Sequence, residues 1–176
     1  VIAGLCIGAL YDIMPYYLAV KGYSHHQIGL VTGCIVAGGA LMQVPIGYFS
    51  DRLDMRSLMV GICIMIVCAS LLVLHATSIF ELYLGGFFLG ASIMVSFPLA
   101  YTHTTKKVPD HLAVQAVALL TVIYGLGSTF GPLIASFVMA HTKSEALLYF
   151  FIFWAVLAGI YSLYRRFCAK GQQEAV

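Results

Sequence analysis

Charged side chains are scarce in this chain, and two of the places where they occur could do chemistry. The first is Asp12, a carboxylate set between Tyr11 and Tyr16 inside the apolar stretch Val1–Val20. If that stretch crosses a bilayer, Asp12 stands near the midplane. An ionised carboxylate there costs at least ~2.5 kcal/mol on insertion scales. It must therefore face a wet cavity, find a partner, or hold a proton. Three roles stay open: proton coupling, contact with a cationic substrate, or a structural hydrogen bond to a nearby tyrosine or backbone group. Ser92 and Ser96 are expected to join Tyr11, Tyr16 and Asp12 as the substrate- or proton-binding set. Pro15 follows by one turn, and its missing N–H frees a backbone carbonyl at the same level.

The second place is Gln43-Val-Pro-Ile-Gly-Tyr-Phe-Ser-Asp-Arg-Leu-Asp-Met-Arg56, where four charged residues cluster between two long apolar runs. Asp51 would close a helix, where a carboxylate opposes the negative C-terminal end of that helix. It needs a cation or the N-terminus of another helix. Arg52 and Arg56 can supply the cation. Asp54 can cap the next helix and tolerates a left-handed backbone. Gly47 lies one turn before Asp51, a placement that a merely solvated loop would not require. A third stretch, Tyr124-Gly-Leu-Gly-Ser-Thr-Phe-Gly-Pro-Leu133, packs Gly125, Gly127, Gly131 and Pro132 close together.

Enzymatic chemistry is not supported. An intramembrane aspartyl protease needs a second carboxylate to share a proton with Asp12, and Asp51, Asp54, Glu81, Asp110, Glu145 and Glu174 all fall outside mid-span positions. His-Glu-x-x-His and Gly-x-Ser-x-Gly are absent. Cys6, Cys34, Cys63, Cys68 and Cys168 show no Cys-x-x-Cys spacing and no His at a ligand offset, so neither a metal nor another cofactor is expected. His25, His26 and His141 are expected in outer loops, and His75 and His111 near the interfaces. His103 is expected at the inner end of the fourth span.

The elements that must hold these residues are membrane spans. The 176 residues are 61% hydrophobic and 9% charged, against roughly 25% charged in soluble domains. The expected fold class is all-α, an integral membrane protein. A net charge of +2 without a basic patch gives no reason to expect nucleic acid. A crossing helix takes about 20 mostly apolar residues. Six runs qualify, in a single domain: Val1–Val20, Ile28–Phe49, Ser57–Ala76, Phe80–Tyr101, Ala113–Ala140 and Ala146–Tyr164. Arg52, Arg56, Lys106, Lys107, Arg165, Arg166 and Lys170 fall on one side of such a bundle and Lys21 and Lys143 on the other. The positive-inside rule then places both termini in the cytoplasm. The chain begins inside an apolar run at Val1, which reads as a piece of a longer protein.

Small residues recur four apart at Gly4/Gly8, Gly29/Gly33, Gly86/Gly90 and Gly127/Gly131, which favours close helix crossings. Span character repeats with a period of three. Spans one and four carry Tyr11, Asp12, Tyr16, Glu81, Ser92 and Ser96 and should face a cavity. Spans two and five carry the Gly/Pro stretches around Pro45 and Pro132 and should pack against another body. Spans three and six are plain and should face lipid.

The spacing Gly47-x-x-x-Asp51-Arg52-x-x-x-Arg56 resembles the signature loop of major facilitator superfamily transporters. Tyr124-Gly-Leu-Gly-x-x-x-Gly-Pro-Leu133 resembles the Gly-Pro motif of the corresponding helix. Together with Phe97-Pro-Leu-Ala-x-x-His103 these stretches look like the second half of the YcaD-like branch, bacterial inner-membrane proteins. Met55 replaces a usual basic residue, Thr105 stands where the branch often has an acid, and Asp54 replaces the usual Gly. The resemblance implies one six-helix half, built as two inverted three-helix repeats, of a twelve-helix transporter that works by alternating access, as a symporter or antiporter of a small solute. The partners implied are the bilayer, the other six-helix half and the solute, with protons as a candidate coupling ion. It also implies that Gly47, Asp51, Arg52 and Arg56 form a conformational latch, and that Pro45, Gly125, Gly127, Gly131 and Pro132 pack at the interface between halves. The alternative in another class is a six-span assembly partner or receptor domain that transports nothing.

Overall fold

The structure, a computed structural model, describes residues 1–52, 54–105 and 108–173, with the side chains of Asp51, Asp110 and 165–173 outside the description. Among the described residues six helices follow in order: α1 Ile2–Val20, α2 His25–Arg52, α3 Met55–Leu74, α4 Ile79–Thr105, α5 Asp110–His141 and α6 Ala146–Gln173. All are long and apolar enough to cross a membrane. Several outrun the apolar stretches that mark them in the sequence, and the starts of α2 and α4 are capped by side chains.

Two interhelical turns show the local bonding. α1 ends in a Schellman motif: Gly22 N–H bonds the Ala19 carbonyl at 3.0 Å and Tyr23 N–H bonds the Leu18 carbonyl at 3.2 Å. Gly22 sits at φ 87°, where a side chain would be strained. α2 then opens on a capping box, with Ser24 N–H donating to Gln27 Oε1 at 2.9 Å and Gln27 N–H to Ser24 Oγ at 3.4 Å. α4 opens the same way. Glu81 Oε2 accepts from the N–H groups of Thr77 (2.7 Å) and Ser78 (3.1 Å), and Glu81 N–H donates to Ser78 Oγ at 3.3 Å. Glu81, expected to line a cavity, is instead a cap at the N-terminal end of α4. His25, His26 and His141, expected in loops, lie in the terminal turns of α2 and α5.

The helices pair as a three-by-three repeat predicts. α1 packs on α5, α4 packs on α2, and α3 packs on α6; moving three helices along the chain exchanges the first two pairs. Both crossings depend on missing side chains. A Cβ on Gly4 would stand 3.2 Å from Gly127 Cα, and one on Gly127 would stand 3.2 Å from Gly4 Cα. Gly8 meets Ser128 and Pro132, and Gly131 meets the Leu5 backbone. In the second crossing Gly90 meets the Ile35 backbone and Gly38 meets that of Phe87. In lipid such close backbone contact replaces hydrophobic exclusion as the source of helix association.

Gly29 and Gly33 do not join in: a Cβ at either would have nothing within 4 Å. The buried positions of α2 are Val31, Ile35, Gly38, Gly39 and Ile46, and Gly33 stands about half a turn away from Val31 and Ile35 on a 100° wheel. Gly38 and Gly39 do the work assigned to that pair, Gly39 against Met94. α1 and α4 are the most buried spans, and α2 and α5 are among the least.

Candidate functional site

α1 changes character at its middle. Gly4 through Leu10 are buried beneath the neighbouring helices. Beyond them Met14, Tyr17 and Leu18 stay buried while Tyr11, Asp12 and Tyr16 are exposed. Positions 11, 12 and 16 lie within one helical stripe, so two aromatic rings and a carboxylate share an uncovered face. Asp12 makes no hydrogen bond or ion pair with any described residue. Pro15 lies inside the continuous helix, and having no N–H it offers nothing to the Tyr11 carbonyl four residues back. The stripe therefore carries a carboxylate and a backbone carbonyl relieved of its helical donor.

Tyr11 is anchored across the bundle, its hydroxyl donating to Met94 Sδ of α4 at 3.2 Å. Met94 in turn fills the space left by Gly39 of α2. Phe97 of α4 and Tyr124 of α5 stack beside this region with ring centroids 4.1 Å apart, and Tyr124 lies within electrostatic range of Tyr11. Ser92 and Ser96 do not share the open face. Both are buried, and their hydroxyls bond back along α4, Ser92 to the Phe88 carbonyl at 2.6 Å and Ser96 to the Ser92 carbonyl at 3.0 Å. Bonding to the carbonyl four residues back is how a hydroxyl settles in an apolar helix. Ser96 also borders a cavity of about 780 Å³ between α1, α3, α4 and α6, which Arg56 and His103 line as well.

In the charged loop, Asp54 stands at the N-cap of α3, its carbonyl accepting from Leu58 N–H at 3.1 Å. Its carboxylate makes no cap bond, and its φ of −60° is ordinary extended backbone, so neither special use expected of it is made. The Arg52 guanidinium lies 4.4 Å from the centre of the Tyr48 ring, one turn back. The expected approach of Arg52 or Arg56 to Asp51 lies outside the described side chains. Pro45 and Gly47 of α2 and Gly125 of α5 are exposed, the two glycines with open space at the Cβ position. Gly127 and Gly131 are not available to another body. They are buried against α1, and Pro132 is half-buried beside Gly8, so these members of the expected interface belong to the inner packing of this bundle.

On the opposite side of the bundle Lys21 Nζ and Glu145 Oε1 meet at 2.7 Å, tying the α1–α2 turn to the α5–α6 turn. Their hydrogen bond raises the pKa of Lys21 and lowers that of Glu145. The sequence offered no spacing rule for this pair, which joins residues far apart in the chain.

A model of the Major Facilitator Superfamily matches residues 1–174. The MFS-type transporter YcaD of Escherichia coli (strain K12 / DH10B), its namesake in Shigella flexneri and an MFS-type transporter of Enterobacter sp. (strain 638) are each 31% identical over 163 residues, covering 93% of this chain. The chain spans about 41% of the length of these relatives. Six membrane-length helices paired three by three, with a family match along nearly their whole length, place the molecule: this chain belongs to the Major Facilitator Superfamily.

Proposed function

We propose that the chain is one six-helix half, the second, of a twelve-helix secondary transporter. This half and its counterpart would rock about a central site to move a small solute across a bacterial cytoplasmic membrane. Both termini would lie in the cytoplasm, on the side that collects most of the Lys and Arg residues. The observation that carries the reading is Asp12, a carboxylate in the middle of an apolar helix, on a face that no helix of this half covers. A membrane-embedded acid avoids lipid, so that face is the wall of a water-filled cavity completed by the other half. The broad exposure of α2 and α5 supports their meeting that half through Pro45, Gly47 and Gly125. Asp51 would act as the latch there, meeting a helix end of the other half in one state of the cycle.

Asp12 exchanges a proton as the cavity opens to either side. In the full-length protein, Asp12→Asn should abolish proton-driven accumulation while leaving equilibrative exchange, because the amide imitates the protonated acid. Normal accumulation with unchanged pH dependence would assign coupling to another group. Asp51→Asn should alter transport at near-normal expression, and unchanged transport would remove the latch.

A further inference from the structure

We propose that the cavity of about 780 Å³ between α1, α3, α4 and α6 binds a single-chain anionic amphiphile, a long-chain fatty acid. The inference does not depend on the transporter reading. The cavity has two unlike ends. Arg56, His103, Thr104, Tyr161 and Ser162 stand at one of them, where α3 begins, α4 ends and the apolar part of α6 runs out. That end lies at a membrane face. The other end is walled by Cys6, Ile62, Cys63, Ile66, Ile93 and Ala155, all buried. From Arg56 to Ile66 along α3, and from His103 back to Ile93 along α4, the wall runs about 15 Å. The site is separate from the open stripe of α1, because Cys6 stands well round the helix from Tyr11, Asp12 and Tyr16.

A polar solute gains little in the depth of this cavity. The hydroxyls of Ser96, Thr104 and Ser162 donate within their own helices, to the carbonyls of Ser92, Ala100 and Ala158 at 3.0, 2.9 and 2.8 Å. Charge complementarity is confined to the mouth. A guanidinium carries five donors, so Arg56 can serve a carboxylate while keeping another contact. The His103 imidazole stands on the same end. α3 brings its opening turn there too, and no side chain caps it, so its first N–H groups and positive helix end favour an anion. Asp54, just before that turn, is exposed and does not line the cavity.

A charged mouth above an apolar shaft is the complement of an amphiphile. A hydrocarbon or sterol would leave the mouth unused, and a small anion would leave the shaft unfilled. The volume is that of a site for one drug-sized ligand. α3 packs on both α4 and α6, so on that side the wall is closed to a second acyl chain. A single chain fits, with its carboxylate at Arg56 and its tail along Ile62, Ile66 and Ile93.

The test uses purified full-length protein in nanodiscs of neutral phosphatidylcholine, with palmitic acid bearing a terminal diazirine as the photoprobe. Saturable capture is expected on the lining residues of α3 and α4, such as Ile66 and Ile93, and not on Ile64, which is exposed on the other face of α3. Palmitate should compete, whereas methyl palmitate and dioleoylphosphatidylglycerol at the same concentration should not. Arg56→Gln should raise the palmitate needed for competition by about 10-fold. Ala100→Phe, which fills the half-buried wall of α4, should abolish capture at unchanged monodisperse elution. Absence of saturable capture, or capture spread over Ile64, would overturn the proposal. So would competition by the methyl ester, competition by the phospholipid, or an Arg56→Gln protein that competes like the parent.

Discussion

The α1–α5 crossing supplies a prediction that separates the packing seen here from the glycine pattern alone. Sequence spacing treats Gly29/Gly33 and Gly127/Gly131 as equivalent, whereas the structure does not. A Cβ on Gly131 would lie 2.9 Å from both the carbonyl carbon and the Cα of Leu5, and closer still to its oxygen, all backbone atoms that cannot rotate away. Ordinary contact begins near 3.4 Å, so Gly131→Ala must part the helices by more than roughly 0.5 Å to clear the carbons and the nearer oxygen, and a shift of that size forfeits a sizeable part of each pairwise attraction along the seam. Overpacking of this kind costs about 1–3 kcal/mol. At Gly33 a methyl group meets nothing within this half, and replacing glycine in a helix interior gains about 0.8–1 kcal/mol. The two variants should therefore differ by about 2–4 kcal/mol in opposite directions from the parent. Thermal unfolding of the detergent-solubilised full-length protein, followed by loss of the monodisperse elution peak, reads the difference. Gly131→Ala as stable as Gly33→Ala would refute the crossing.

Other predictions follow from local contacts. Ser70 is fully buried, and its hydroxyl has no hydrogen-bond partner among the described residues. Ser70→Ala should leave stability unchanged or raise it by up to ~1 kcal/mol in the same unfolding assay, and a loss would reveal a partner. Ser24→Ala and Ser78→Ala should each cost about 0.5–2 kcal/mol by removing a capping hydroxyl. The stability difference between parent and Glu145→Gln should depend on pH in a defined way. Glu145 has a lowered pKa, so its contribution is present above its unfolded value and disappears as pH falls through the folded one. Lys21 has a raised pKa, so its contribution is present below its unfolded value and is lost as pH rises through the folded one. Melting curves across pH should show the difference at neutral pH and its decay at both extremes, and a difference independent of pH would contradict the pairing.

The spans were legible because each is a long apolar run, and that signal does not depend on neighbours. Their true ends were also legible in principle, since Ser24-x-x-Gln27 and Ser78-x-x-Glu81 are capping boxes written in the sequence. Glu81 misled as a cavity residue because a carboxylate near a span draws attention before its local partners do. What the sequence could not decide was which face of each helix meets which neighbour. Gly29 and Gly33 have the spacing for close packing but point away from α4, and Gly127 and Gly131 turn inward to α1. Ser92 and Ser96 are polar yet satisfied by their own helix. Asp12, Tyr11 and Tyr16 stood out because lipid penalises charge strongly enough to mark a face by composition alone.

The central claim is that the stripe of α1 bearing Asp12 borders water and not lipid. It is tested by placing single cysteines at positions 12 and 16 of a full-length protein otherwise free of cysteine, with Ile64, exposed on α3, as the lipid-facing control. A membrane-impermeant thiol reagent should label positions 12 and 16 and spare 64. Labelling of 12 and 16 only by lipid-soluble reagents, as at 64, would contradict the account.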